Sequence, residues 1–154
     1  MTIYLDIDGV LLTTKDTKTV IGVKLFINFL VNHFDCFWLT THCKGDSKYA
    51  IEYLKHFFDN STIELLKRMR ATNWNLLKTE AIDFNSDFYW LEDYPFKSEI
   101  KVLEEFGMKD RLLIVDLNRD NEYENLMYFL KNRLLQGKVN NSKEVNYNEP
   151  NVFN

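Results

Sequence analysis

Asp6 and Asp8 stand two residues apart at the end of a short apolar run, Thr2 to Ile7, and Gly9 follows at once. Thr40 and Thr41 close a second apolar run, Cys36 to Leu39; Glu92 and Asp93 close a third, Phe88 to Leu91. Asp116 follows a fourth, Leu112 to Val115. Continuous apolar runs of this length, ending in polar residues, have the pattern of buried parallel strands. In an open parallel sheet the carboxyl ends of the strands lie along one edge, and ligands bind in the crevice there. Such a sheet would gather Asp6, Asp8, Glu92, Asp93 and Asp116 beside two threonine hydroxyls. Carboxylates brought together without a cation repel one another. A hard divalent ion removes that repulsion, and an all-oxygen set with few carboxylates favours Mg2+. The chemistry to which these residues are suited is that of phosphate.

The segments between the runs read as helices. Val20 to Phe34 places Val20, Val23, Phe26, Ile27, Leu30 and Phe34 on one helical face. Asp46 is a candidate cap for a helix whose apolar side is Ile51, Leu54, Phe57 and Phe58. Ser61 or Thr62 could cap another, running to about Arg70. Leu76 to Ile82 reads as a further helical turn or two. Ser98 to Phe106 reads as a helix stopped by Gly107, and Asn121 to Leu135 as a last amphipathic helix ending before Gly137. Strands alternating with helices predict an α/β fold: a three-layer, Rossmann-like parallel sheet with helices on both faces. Residues 1–137 form the expected domain. Residues 138–154 form a polar, asparagine-rich C-terminal tail, ordered only if Val152 and Phe153 dock.

A chain of 154 residues suits a single domain, and 45% apolar residues are enough for a packed core rather than disorder. The net charge of −4 argues against a general nucleic-acid coating role. A nucleic-acid partner is compatible with that total but not indicated by it. Cys36 and Cys43 flank an extended run that would hold them too far apart for a disulfide, so two thiols in a reducing compartment are expected. The acidic residues begin almost at the first residue, with no leader pattern, and no apolar stretch is long enough to span a bilayer. The expectation is a soluble, cytoplasmic protein with no membrane partner.

Taken in order, these motifs resemble the haloacid dehalogenase-like (HAD) phosphatases. Tyr4-Leu5-Asp6-Ile7-Asp8-Gly9-Val10-Leu11 resembles that family's first motif, and Trp38-Leu39-Thr40-Thr41 its second. Lys78, within Leu77-Lys78-Thr79-Glu80-Ala81-Ile82, is similar to the third-motif lysine, and Tyr89-Trp90-Leu91-Glu92-Asp93 to the fourth motif. The resemblance implies that Asp6 is a nucleophile forming an aspartyl-phosphate intermediate, and that Asp8 is the acid and then the base. It implies that Thr40, through its hydroxyl, and Thr41, through its N–H, hold the phosphoryl group, and that Lys78 neutralises charge. Gly9 would let the backbone turn close to that group. Mg2+ would lie among Asp6, the carbonyl of Asp8, and Asp93, with Glu92 as an additional or water-mediated ligand. The fourth motif reads Glu-Asp where many members have two aspartates or Gly-Asp, so either Glu92 or Asp93 could be the direct ligand. Neither interval between motifs is large enough for an independent lid, which implies a small, capless member with an open site.

The function so implied is hydrolysis of a phosphomonoester, the substrate being small or macromolecular. A phosphatase for nucleotides or nucleic-acid ends is a second reading, and a non-catalytic phosphate- or protein-binding module on the same fold a third. A binding module has no need for an acid–base aspartate. Each residue also has a plainer reading. Asp6 and Asp8 could be a turn and a helix cap, Lys78 solvated surface, and Asp116 a partner for nearby amides. His42 is expected on the surface, and His42-Cys43 are a poor metal pair because adjacent residues on an extended chain point apart. Trp38 and Trp90 are expected in the core, and Lys67, Arg68 and Arg70 on a wet helical face.

Overall fold

The four apolar runs become β1 (Thr2–Leu5), β2 (Asp35–Trp38), β3 (Phe88–Glu92) and β4 (Leu112–Ile114) of one sheet, ordered β2-β1-β3-β4 with parallel neighbours. The computed structural model describes residues 1–145, with side-chain surroundings through residue 137. Helices α1 (Val23–His33), α2 (Lys48–Leu54), α3 (Asn60–Leu66) and α4 (Lys97–Glu105) lie in the connections between strands, and α5 (Glu122–Val145) follows β4. Alternate side chains along a strand point to opposite faces, and here both faces are apolar. Ile3, Leu5, Tyr89 and Leu91 enter a large core shared with residues of α1, α2, α3 and α5. Tyr4, Phe88 and Trp90 enter a smaller one with Leu39, Ile82 and Leu103 of α4. The sheet is thus the middle layer of three. Trp38 and Trp90 are fully buried, as core residues should be.

The chain passes from β1 to β2 on one side, then returns to β3 on the other side of β1. Such a reversal opens a crevice beyond the carboxyl ends of the strands flanking it. Leu5 is level with Trp38 and with Leu91, and the ladder continues one step further. Leu39 N–H donates to Leu5 O at 2.8 Å, and Asp6 N–H to Leu91 O at 3.2 Å. Asp6 therefore emerges between the ends of β2 and β3.

The connections between β2 and β3 do not form a separate unit. Ala50, Ile51, Leu54, Phe58, Ile63 and Leu66 all pack into the large core, so α2 and α3 belong to the same body as the sheet. Several boundaries differ from expectation. Gly22, at φ 93°, enters α1 in the left-handed region, so the helix starts at Val23 rather than Val20. Neither Ser61 nor Thr62 caps α3. Asp59 does, its Oδ1 accepting from Thr62 N (2.9 Å), Thr62 Oγ1 (2.9 Å) and Ser61 Oγ (2.7 Å). One carboxylate oxygen serving three donors outcompetes a hydroxyl cap. The helix ends at Leu66, and Arg70 lies beyond it as a one-residue continuation of the sheet edge beside Phe37.

Ser47, not Asp46, is the residue before α2, although Asp46 Oδ1 still takes the Lys48 N–H at 2.8 Å. Gly107 terminates α4 as expected, at φ 66°. The last helix does not stop before Gly137 but runs on to Val145. An exposed mid-helix glycine costs only about 1 kcal/mol relative to alanine, which the flanking helix can absorb. The docking of Val152 and Phe153 lies outside the described residues. Among the described residues, no helix is long and apolar enough to cross a membrane.

Candidate functional site

Asp6 is 7% exposed at the end of β1. Its Oδ1 accepts the Ile7 N–H at 2.7 Å and its Oδ2 accepts from Lys78 Nζ at 2.7 Å. Lys78 donates equally to Glu92 Oε2, at 2.6 Å. One ammonium thus joins the ends of β1 and β3. Lys78 comes from a 3-10 turn, Lys78–Ala81, which is held by two further carboxylates. Glu80 accepts the N–H groups of Asn75, Leu76 and Leu77 (2.8, 3.1 and 3.1 Å). Buried Glu99 of α4 accepts those of Lys78 and Phe96, both at 2.8 Å. Sequence reading overlooked Glu99, because nothing local shows that α4 lies beneath the lysine turn.

Asp6, Glu92 and Asp93 each offer an oxygen, and these atoms all lie within 4.8 Å of one another. Three carboxylates with one lysine leave an excess of negative charge, and the all-oxygen donor set suits a hard cation. Gly9 makes the packing of Asp93 feasible. At φ 77°, a Cβ on Gly9 would lie 2.0 Å from Asp93 Cγ and 2.1 Å from Oδ2. Gly9→Ala should therefore displace Asp93, and if the cluster takes Mg2+ it should weaken that binding at least tenfold by calorimetric titration. Gly107→Ala is the control: φ is 66° there too, but nothing lies within 4 Å of the added carbon. It should cost about 1 kcal/mol of backbone strain and leave Mg2+ affinity unchanged.

Burial, reinforced by the Asp6 carboxylate, pushes Glu92 up to about 9 despite Lys78 beside it. Burial alone would depress the Lys78 ammonium, but Asp6 and Glu92 outweigh it and hold it above the ordinary lysine value. A bound cation reverses this logic by favouring ionised Glu92. Between its unfolded value near 4.5 and about 9, Glu92 binds more protons folded than unfolded, so its contribution to stability falls as pH rises. Glu92→Gln removes that titration. Thermal melts without metal should therefore show Glu92→Gln gaining on the parent protein from pH 5 to pH 9, and Mg2+ should shrink the gain.

Asp8 projects from the loop after β1. Its Oδ2 lies 2.8 Å from His42 Nε2, and its Oδ1 accepts from Tyr53 Oη at 3.4 Å. His42, expected on the surface, is half-buried against Asp8. A turn from Thr40 to Cys43, closed by Cys43 N–H to Thr40 O at 3.1 Å, brings its ring against Asp8 and Tyr53, whereas an extended chain would have pointed it away. Thr40 is fully buried at the end of β2, and its Oγ1 accepts the His42 N–H at 3.4 Å, which leaves its O–H to donate. Thr41 is exposed beside it.

Asp116 is tied into its own turn. Its Oδ1 accepts from Asn118 N and Nδ2, both at 3.1 Å, and those bonds hold it below the usual carboxylate range. It also lines, with Gly9, Thr13, Lys15, Asp93 and Arg119, a groove of about 420 Å³ beside the carboxylate cluster. Cys36 and Cys43 are buried free thiols. Lys67, Arg68 and Arg70 are exposed, as expected, but lie beyond the end of α3 and find separate partners. Lys67 pairs with Glu64 at 2.5 Å, Arg68 donates to Val31 O at 2.7 Å, and Arg70 lies over Phe37.

No protein-family model, no curated protein and no solved structure matches this chain. The functional reading therefore rests on the motifs and on the geometry just described.

Proposed function

We propose that this chain is a small, capless HAD-like phosphatase that hydrolyses phosphomonoesters with Mg2+, using Asp6 as nucleophile. The observation that carries the reading is Lys78 Nζ, 2.7 Å from Asp6 and 2.6 Å from Glu92. Residues 72 and 14 positions apart in the chain meet there, at a sheet edge where Asp8, Thr40 and Asp93 also lie. A turn or a helix cap has no use for that convergence.

Asp6 attacks phosphorus while the bond to the leaving oxygen breaks, and the protonated carboxyl of Asp8 gives that oxygen its proton. Asp8, now ionised, takes a proton from the water that attacks the aspartyl phosphate. Release of inorganic phosphate restores Asp6. Lys78 balances charge on Asp6 and on the phosphoryl oxygens, and Thr40 donates its O–H to one of them. Glu92 is committed to Lys78, whereas Asp93 packs against Gly9 with its carboxylate turned to the cluster. This favours Asp93 as the direct metal ligand, with Asp6 and the carbonyl of Asp8. The Mg2+ would supply charge neutralisation at the attacked phosphate, typically several kcal/mol.

Hydrolysis of 4-nitrophenyl phosphate tests the reading. Turnover should require Mg2+, cease with a chelator and return when the ion is restored. A rate unaffected by cation removal would refute it.

A further inference from the structure

Asp8 has a 40% exposed side chain on a loop, where an aspartate would ordinarily sample several rotamers. Both of its oxygens are nevertheless held, one by His42 and one by Tyr53. The two rings are stacked, with centroids 4.2 Å apart and planes 10° from parallel. Tyr53 belongs to α2 and meets Phe57 one turn later, ring edge to face at 5.3 Å. Both rings pack against the large core. A continuous line of contacts therefore runs from the core through Tyr53 and His42 to Asp8. Packing alone would explain a stacked pair, but not why the polar ends of both rings converge on one carboxylate.

We propose that His42 and Tyr53 are a positioning pair that fixes the Asp8 carboxyl for proton delivery to the leaving oxygen. The inference rests on the phosphatase reading and deepens it by naming what sets the strength of acid assistance. His42, at 2.8 Å, anchors Oδ2. The Tyr53 contact to Oδ1, at 3.4 Å, is long and weak. Oδ1 is accordingly the oxygen left to carry the transferred proton. The pair matters most where the leaving oxygen is strongly basic and cannot depart unprotonated. With an activated aryl oxide it matters little.

The test compares kcat/KM, which reports the steps through the first phosphoryl transfer, for an alkyl phosphate and for 2,4-dinitrophenyl phosphate. Asp8→Asn provides the reference pattern, a loss far deeper on the alkyl ester. His42→Leu should reproduce that selectivity, losing at least tenfold more on the alkyl ester than on the dinitrophenyl ester. His42→Gln, which keeps an N–H at the position of Nε2, should recover most of the loss. Tyr53→Phe, which keeps the stack, should show a milder selective loss and serves if His42→Leu does not fold. Equal losses on both esters, or none, for His42→Leu and Tyr53→Phe would overturn the positioning role while Asp8→Asn still upholds the phosphatase. A parent protein that cleaves neither ester would overturn both.

Discussion

Asp6→Asn is expected to lower Mg2+-dependent hydrolysis of an aryl phosphate by at least about 10⁴-fold, because removal of a nucleophile abolishes the covalent route. The substitution keeps size and the Ile7 N–H contact to Oδ1, and it leaves Lys78 paired with Glu92 at 2.6 Å. Folding should survive, and a circular-dichroism melt near that of the parent would exclude the trivial explanation. The same variant removes one of three clustered carboxylates, so its Mg2+ affinity should also fall. Assays at saturating Mg2+ separate the two effects: a metal-binding defect recovers there, whereas loss of the attacking oxygen does not. Residual activity above one per cent of the parent at saturating Mg2+ would mean that another group attacks phosphorus.

Asp8→Asn should cost about 10² to 10⁴-fold in turnover, the usual range for a general acid–base group. Its diagnostic feature is where the reaction stalls. With an activated aryl ester the first step needs little acid assistance, but hydrolysis of the aspartyl phosphate still needs a base. The variant should then release one equivalent of phenol in a burst and remain phosphorylated on Asp6. Rapid-quench measurement of the burst, with mass spectrometry of the Asp6 peptide, checks this. A uniform slowing without burst or trapped phosphate would remove Asp8 from the second step.

The sheet and its functional edge were legible in the sequence because a buried parallel strand writes itself as an unbroken apolar run. The ends of β1, β2 and β3 sit within a residue or two of where those runs stop. The small overshoots have one cause. Ile7, Leu39 and Val115 are buried as fully as strand residues but lie just past the strand ends, where Leu39 and Val115 each give one last N–H to the neighbouring strand, at Leu5 O and Glu92 O. Helix limits were less legible, since Gly22 and Gly137 are both glycines and only backbone geometry shows that one bounds a helix and the other lies within one.

Within the site, Asp6, Asp8, Glu92 and Asp93 could be placed at one edge from strand order alone. His42, Tyr53 and Glu99 could not. His42 follows the second motif directly, but its role depends on a turn whose direction the residues Thr41-His42-Cys43 do not specify. Tyr53 and Glu99 act from helices, and only the packing of α2 and α4 brings Tyr53 to Asp8 and Glu99 to the Lys78 turn. The charge pattern placed Lys67, Arg68 and Arg70 in solvent correctly, but not their helical setting. Lys67, Arg68 and Arg70 read as a helical stripe, whereas α3 ends before them and each finds a separate partner.

The most direct test of the account is a crystal structure of the protein grown with Mg2+ and beryllium fluoride, a mimic of an acyl phosphate. The expected result is a beryllofluoride bonded to an Asp6 carboxylate oxygen, with the metal ion touching both Asp6 and Asp93. An ion bound away from Asp93, or a beryllofluoride seated anywhere other than Asp6, would contradict it.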